Sequence, residues 1–145
     1  MHRFILLLLL IIPAGASANR GFVFTGANAV TAMDLLDLFG AEAIEAGAQN
    51  GVFYDVKEIL CEVDSRMGGE RKPTCMIRFS HSDGSTSQLR PRDPRYSRAM
   101  IDLAKEARLN MGEDEQRAGA KLMHIKDMRC QRAGRRAECR GRDVL

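Results

Sequence analysis

Apolar residues fall into two helical segments and several alternating strand segments. After Asp93 and Pro94, an N-cap followed by proline at the first helical position, apolar residues recur at helical spacing. This stripe comprises Tyr96, Ala99, Met100, Leu103, Ala104, Ala107 and Met111. Gly112 is predicted to end this second helix. A segment from 28 to about 46 is apolar around more of its circumference and predicts a more deeply buried first helix, with Gly40 as a candidate break.

The strand segments alternate apolar and polar positions around the cysteines. In the first predicted hairpin, one face carries Ile59, Cys61, Val63, Cys75, Ile77 and Phe79. A shorter strand is expected from Thr86 to Arg90, after a turn at 81–84. Cys130 and Cys139 are separated by eight residues, which is also typical of a hairpin.

The four cysteines are predicted to form two disulfides. Four cysteines allow three connectivities. We expect Cys61 to pair with Cys75, and Cys130 with Cys139, because each bridge then joins the facing strands of one hairpin. The chain-entropy estimate gives about 3 kcal/mol for the larger ring and about 2.7 kcal/mol for the smaller. Together these values are comparable with the whole stability of a small domain.

The two hairpins begin with similar sequences. Val56–Cys61 (VKEILC) is answered by Ile125–Cys130 (IKDMRC) at an offset of 69 residues. An Ala-Met pair in each predicted helix recurs at an offset of 67. We therefore predict an α+β fold of two tandem helix plus β-hairpin (α-β-β) units, at about 19–92 and 93–145. Their strands would form a small antiparallel sheet, packed by the helices and stapled by the disulfides.

The N-terminus has the three parts of a secretory signal peptide. The positive pair His2-Arg3 precedes Phe4–Ile12, a run of nine apolar residues, and Ala16-Ser17-Ala18 supplies small residues for signal peptidase. A membrane span needs roughly 20 apolar residues, more than twice this run. We therefore expect cleavage after Ala18, which leaves 19–145 as a single secreted domain without a transmembrane span. The short signal and the lack of an Asn-x-Ser/Thr site favour the periplasm.

Charge is spread unevenly along the chain, whose formal net charge is +3. Residues 19–65 hold eight acids and two bases, a balance of −6. Residues 120–145 hold eight bases and three acids, a balance of +5. This asymmetry predicts a dipolar surface, or two halves that attract each other.

The arginine-rich C-terminal hairpin is the candidate binding surface. Its arginines are Arg129, Arg132, Arg135, Arg136, Arg140 and Arg142. Guanidinium groups are planar forks of donors that suit carboxylates and phosphates, so we expect an acidic protein or an anionic envelope component as partner. The hairpin lacks aromatic residues for stacking on bases, so no nucleic acid is expected. The alternative is that these arginines pair with the acidic first half of the chain, or only keep the hairpin soluble.

Motifs for catalysis or for metal binding are sparse. His81 and His124 are the only histidines after the signal, and the thiols are expected in bridges, so no metal or other cofactor is predicted. The cysteine spacings lack the Cys-x-x-Cys pattern of redox sites. The contiguous triplet His81-Ser82-Asp83 is typical of a turn, because a catalytic triad is brought together from separate parts of a fold.

These patterns favour an exported, non-enzymatic binding or inhibitory module. Two alternatives stay open: a small secreted hydrolase that uses the acidic first half, and an envelope-assembly or structural factor that holds its partner by the sheet edge or the basic hairpin. In element order alone the chain is similar to small exported modules of the β-lactamase-inhibitor-like or PepSY kind, and it carries no motif specific to either.

Overall fold

The structure, a computed structural model, describes residues 20–45, 52–64 and 72–145. The predicted signal peptide, residues 1–18, lies outside them. The elements in chain order are β1 (Arg20–Thr25), α1 (Gly26–Glu45), β2 (Phe53–Asp64), β3 (Lys72–Ser80), β4 (Thr86–Leu89), α2 (Pro94–Glu106), β5 (Lys121–Ala133) and β6 (Arg136–Asp143). Within these ranges, neither helix has both the length and the apolar character that a membrane span requires.

The six described strands form one antiparallel sheet in the order β1-β6-β5-β2-β3-β4. The predicted α+β class with an antiparallel sheet is therefore confirmed. The sequence pattern does not predict strand β1, because its apolar triplet Phe22-Val23-Phe24 does not alternate with polar residues. The two predicted hairpins are also not separate, since β2 pairs with β5 at the centre and β1 crosses to β6.

Both helices pack on one face of the sheet. A single apolar cluster joins α1, α2 and the strands. Its largest fully buried side chains are Tyr54, Phe79, Met33, Leu36, Ile59, Ile77, Ile101, Leu122, Met123, Ile125, Met128 and Val56. The core therefore lies between the helices and one side of the sheet.

The disulfides lie in this core. Cys61 pairs with Cys75, and Cys130 pairs with Cys139, as expected from the hairpin spacing. Each pair occupies directly opposite positions in the strand register. All four residues are completely buried.

The first helix is continuous where the sequence allowed a break. α1 runs through Gly40 to Glu45. A glycine inside a helix costs only about 1 kcal/mol relative to alanine, which does not by itself end a long helix.

The second helix ends earlier than the sequence predicts. α2 stops at Glu106, and Arg108 takes a left-handed φ of 59°. The Leu109 N–H donates to the Ala104 carbonyl at 3.0 Å, a hydrogen bond of the Schellman cap. Glycine usually occupies the left-handed position of this cap, which is why the sequence alone points to Gly112.

Gly112 serves a different purpose, the close approach of two backbone segments. Its N–H donates to the Leu122 carbonyl at 3.0 Å. A Cβ at this position would lie 1.8 Å from the Lys121 carbonyl oxygen. Only glycine therefore lets the segment after α2 lie against β5.

Candidate functional site

The sheet face opposite the helices, called here the open face, carries mostly polar side chains. Neither described helix packs on it. Strand alternation puts most of the half-buried and exposed side chains of the central strands on this side, with Arg132 as an exception. Those that matter below are Asp55, Glu58, Arg78, His124, Arg129, Glu138, Arg140 and Arg142.

A shallow depression of about 750 Å³ lies on the open face over β2, β5 and β6. Its positive side chains are Lys57, Arg129, Arg140 and Arg142, and its carboxylates are Asp55, Asp127 and Glu138. We call it the arginine depression. It carries one more positive than negative charge, and both signs are interspersed.

The structure divides the six predicted binding arginines among three places. Three line the arginine depression: Arg129, Arg140 and Arg142. Arg132 contacts α1 instead. Arg135 and Arg136 are exposed at the β5–β6 turn, and neither forms an ion pair with any residue of the described ranges.

Strand periodicity could have revealed part of this division. Arg129 and Arg132 are three positions apart on one strand, and such residues point to opposite faces. The Cys130–Cys139 bridge also sets the register that places Arg129 opposite Arg140. The expectation of a single cluster is therefore corrected.

Arg129 and Arg140 face each other across β5 and β6. Their side chains are 73% and 68% exposed. Each has a carboxylate beside it: Arg129 Nε lies 4.0 Å from Asp55, and Arg140 Nε lies 2.5 Å from Glu138. The hydrogen bond from Arg140 lowers the pKa of Glu138. Like charges at directly opposite positions destabilise a sheet, and these carboxylates offset part of that cost.

Asp127 lies beside this pair in an unusual backbone conformation. It has a φ of 50°, where the register of β5 with β6 is interrupted. Arg142 Nε donates to its carboxylate at 3.1 Å, and Lys57 Nζ lies 3.5 Å away. The hydrogen bond from Arg142 is the main reason that the pKa of Asp127 is lowered. Positive φ is uncommon outside glycine, and bulges often redirect side chains next to functional sites.

Lys57 and Asp127 were not among the predicted site residues. Both belong to the repeated sequences VKEILC and IKDMRC. The repeat that predicts two similar units also contains both of these side chains, so it is the signal in the sequence that points to them.

Arg132 joins the sheet to α1. Its Nη2 lies 3.2 Å from Asp34 and 3.3 Å from Asp37. The buried hydroxyl of Tyr54 donates to Asp37 at 2.6 Å. Burial, followed by this hydrogen bond, raises the pKa of Tyr54. Arg132 therefore pairs with the acidic first half of the chain, which is the alternative to partner binding that the sequence suggests.

A second polar cluster on the open face surrounds Glu58. Its Oε1 lies 2.8 Å from His124 Nε2, and its Oε2 accepts from Arg78 Nη1 at 3.2 Å. Arg78 Nη2 also donates to Gln88 at 3.1 Å. This is an acid–histidine pair of the kind that a hydrolase could use. Of its neighbours, Arg78 donates hydrogen bonds to both Glu58 and Gln88, and neither Arg78 nor Gln88 is a nucleophile.

The His81-Ser82-Asp83 segment forms a turn. Asp83 accepts from the Ser85 N–H at 2.9 Å and from its hydroxyl at 2.6 Å, and these bonds lower the pKa of Asp83. The His81 ring contacts the Ser87 hydroxyl at 2.7 Å. Asp83 and His81 thus bond different serines. Among the described residues, no three side chains of His, Cys, Asp or Glu are placed to hold a metal ion.

No protein-family model matches the chain, and comparison with curated proteins and with solved structures finds no similar protein. The function is therefore inferred from the open face itself. The arginine depression is the candidate site, because it gathers exposed arginines, mixed charges and a residue of positive φ on a face that neither described helix covers.

Proposed function

We propose that this chain is a non-enzymatic binding or inhibitory module that holds an acidic protein partner on the open face through Arg129 and Arg140. The observation that carries the proposal is that two exposed arginines occupy opposite positions of an antiparallel pair. Such like-charge pairs lower sheet stability. A carboxylate held between the two guanidinium groups would relieve the repulsion and gain charge-assisted hydrogen bonds.

We infer further that the chain contains two copies of a β-α-β-β unit, β1-α1-β2-β3 and β4-α2-β5-β6. The sheet order stays the same when β1 is exchanged with β4, β2 with β5, and β3 with β6. Glu58 contacts Arg78 as Asp127 contacts Arg142. The two acids are 69 positions apart and the two arginines 64. Each copy adds an edge strand to the α-β-β unit expected from the sequence.

The two copies differ where the proposed partner binds. With the same offsets, Arg129 and Arg140 correspond to Leu60 and Met76, which also face each other. Met76 is buried and Leu60 is half-buried. The scaffold therefore accepts an apolar pair at this place. Since the other copy holds an apolar pair at this place, the arginine pair favours a role in binding over a role in folding.

The lining of the depression favours a protein over phosphate-rich ligands. Asp55, Asp127 and Glu138 interrupt the positive lining, so the depression suits single, spaced carboxylates of a protein chain better than clustered phosphates. The side chain of Phe53 also lines the depression and is 42% exposed. Arginine and aromatic side chains amid mixed charge are typical of protein–protein contact surfaces.

We also propose that the mature protein acts in the periplasm or the medium. The signal-peptide pattern of residues 1–18 supports this location. The two disulfides are compatible with it, because disulfides persist in oxidising compartments.

Binding to an acidic probe tests the role of the arginine pair. The variant Arg129→Gln/Arg140→Gln is compared with Arg135→Gln/Arg136→Gln, which removes the same charge at the β5–β6 turn. The probe is a fluorescein-labelled, glutamate-rich peptide, and its affinity is measured by anisotropy at low and moderate salt. We expect the first variant to bind about tenfold more weakly or worse, since two charge-assisted hydrogen bonds are lost. The turn variant should stay within about threefold of the parent protein.

Two results would contradict the proposal. One is an equal loss in both variants, which indicates attraction by net charge alone. The other is binding to phosphatidylglycerol vesicles or to alginate without binding to the peptide, which would assign the surface to lipid or polysaccharide.

A further inference from the structure

The two edges of the sheet differ in how they are protected. β4 is four residues long and mostly polar, and two prolines, Pro91 and Pro94, follow it closely. Short polar edge strands and nearby prolines discourage the addition of another strand. β1 is six residues long, carries the apolar triplet 22–24, and has neither proline nor an acidic residue. Within the described ranges it pairs with β6 alone, so its outer edge is open.

The register identifies the backbone groups that face this open edge. The Cα atoms of Cys130 and Cys139 are 4.1 Å apart, the spacing of a non-hydrogen-bonded pair. The backbone groups of Cys139 therefore point away from β5 and towards Phe24 of β1. Since the direction alternates along a strand, every second residue of β1 directs its N–H and C=O outward. These residues are Gly21, Val23 and Thr25.

Two of the three side chains behind the outward-facing residues of β1 are positive, and the third, Glu138 opposite Thr25, accepts a hydrogen bond from Arg140. Val23 lies opposite Arg140, and Gly21 lies opposite Arg142. Gly21 has no side chain, and nothing lies within 4 Å of the place that a Cβ would occupy. Strands are spaced about 4.8 Å apart, so a long acidic side chain on an added strand could reach these guanidinium groups across β1. Charge complementarity thus favours an acidic occupant.

We propose that an extended acidic segment of a partner protein adds to the sheet along β1. Its backbone bonds the outward groups of Gly21, Val23 and Thr25, and its alternate Asp or Glu side chains lie against Arg140 and Arg142. The proposal rests on the proposed function, because Arg140 belongs to both, and it names the form of the partner: an acidic strand. Addition of a strand to an open sheet edge is a common mode of peptide recognition.

Hydrogen exchange of single amides, measured by NMR on the disulfide-bonded mature chain, tests this geometry. The probe is an acetylated, amidated peptide of alternating glutamate and valine. We expect it to slow the exchange of the Gly21, Val23 and Thr25 amides about tenfold or more. The Phe22 and Phe24 amides should change little, because they already bond β6. A matched peptide with lysine in place of glutamate should protect none of them.

A backbone substitution provides a second measurement. Val23→Pro removes an outward N–H without removing a bond to β6, because proline is tolerated where the amide faces solvent. We expect about tenfold weaker binding of the acidic peptide. The control Val23→Ala keeps the N–H and should bind within about threefold of the parent protein. If Val23→Pro fails to fold, the hydrogen-exchange measurement on the parent chain still tests whether a strand adds along β1.

The outcomes separate this proposal from the proposed function. Peptide binding that depends on Arg129 and Arg140 but leaves the β1 amides unprotected overturns strand addition alone. Peptide binding that ignores both arginines overturns the proposed function. Protection that rises with protein concentration in the absence of peptide identifies a second copy of the chain at the edge, and also overturns the acidic-strand proposal.

Discussion

At the residue scale, Tyr54 couples the packing of α1 to pH. Its ring is completely buried, and its hydroxyl donates to Asp37. Burial is the main reason that its pKa is raised. A tyrosine in the unfolded chain ionises near pH 10. The folded protein therefore holds this proton at pH values where the unfolded chain releases it, and the free energy of unfolding falls as pH rises above about 10.

Tyr54→Phe should reduce this alkaline loss of stability. Urea unfolding at about pH 7 and about pH 11 measures the free energy of unfolding at both ends of the transition. At neutral pH we expect the variant to be less stable by about 1–2 kcal/mol, because Asp37 loses a buried donor. Between the two pH values the variant should lose less stability than the parent protein. The control is Tyr96→Phe, which removes the other tyrosine hydroxyl, and an alkaline loss unchanged in Tyr54→Phe would contradict the prediction.

At the element scale, tertiary contacts decide where α2 ends. The buried carboxylate of Asp143 accepts from the Asn110 N–H at 2.6 Å. Two residues later, Gly112 bonds the backbone of Leu122. These bonds draw 110–112 to the sheet, so the apolar spacing that reaches Met111 is not helical. Periodicity alone cannot reveal this, because it does not report bonds to distant strands.

Gly112→Ala should destabilise the fold markedly. The added Cβ would overlap the Lys121 carbonyl, a sheet backbone atom that cannot move aside as a flexible side chain would. We expect the free energy of unfolding to fall by about 2–3 kcal/mol in urea titrations. Gly21→Ala is the matched control, because its Cβ meets nothing within 4 Å. Its effect should stay below about 0.5 kcal/mol. Equal stability of the two variants would refute the close-approach argument.

At the scale of the whole molecule, the antiparallel sheet is joined through its centre. β2 and β5 come from the two sequence repeats and pair with each other, so neither hairpin stands alone. β1, near the start of the described chain, pairs with β6 near its end. The two disulfides tie each hairpin beneath the helices. The sheet and its open face are therefore assembled from strands at both ends of the described residues.

Intact-mass analysis of the chain produced in a bacterium with its own N-terminal segment tests export and bridging together. We expect a periplasmic species that begins at Asn19 and lacks the four thiol hydrogens, because both bridges have formed. Reduction should restore those hydrogens. A species that retains residues 1–18, or that carries free thiols before reduction, would contradict export with bridging. A Cys-to-Ser version of all four positions serves as the unbridged mass control.

The sequence by itself predicted the two helices, the two hairpins and the disulfide pairing that the structure shows. These features depend on periodicity and spacing over short stretches, as in the stripe after Pro94 and the spacing of Cys130 and Cys139. The alternation of side chains along a strand also places Arg129 and Arg132 on opposite faces, which a count of charges does not show. Only the tertiary structure decided that β1 pairs with β6, that α2 ends early, and that three arginines gather beside Asp127. The physical reason is that these features depend on register and hydrogen bonds between distant segments, which no local pattern encodes.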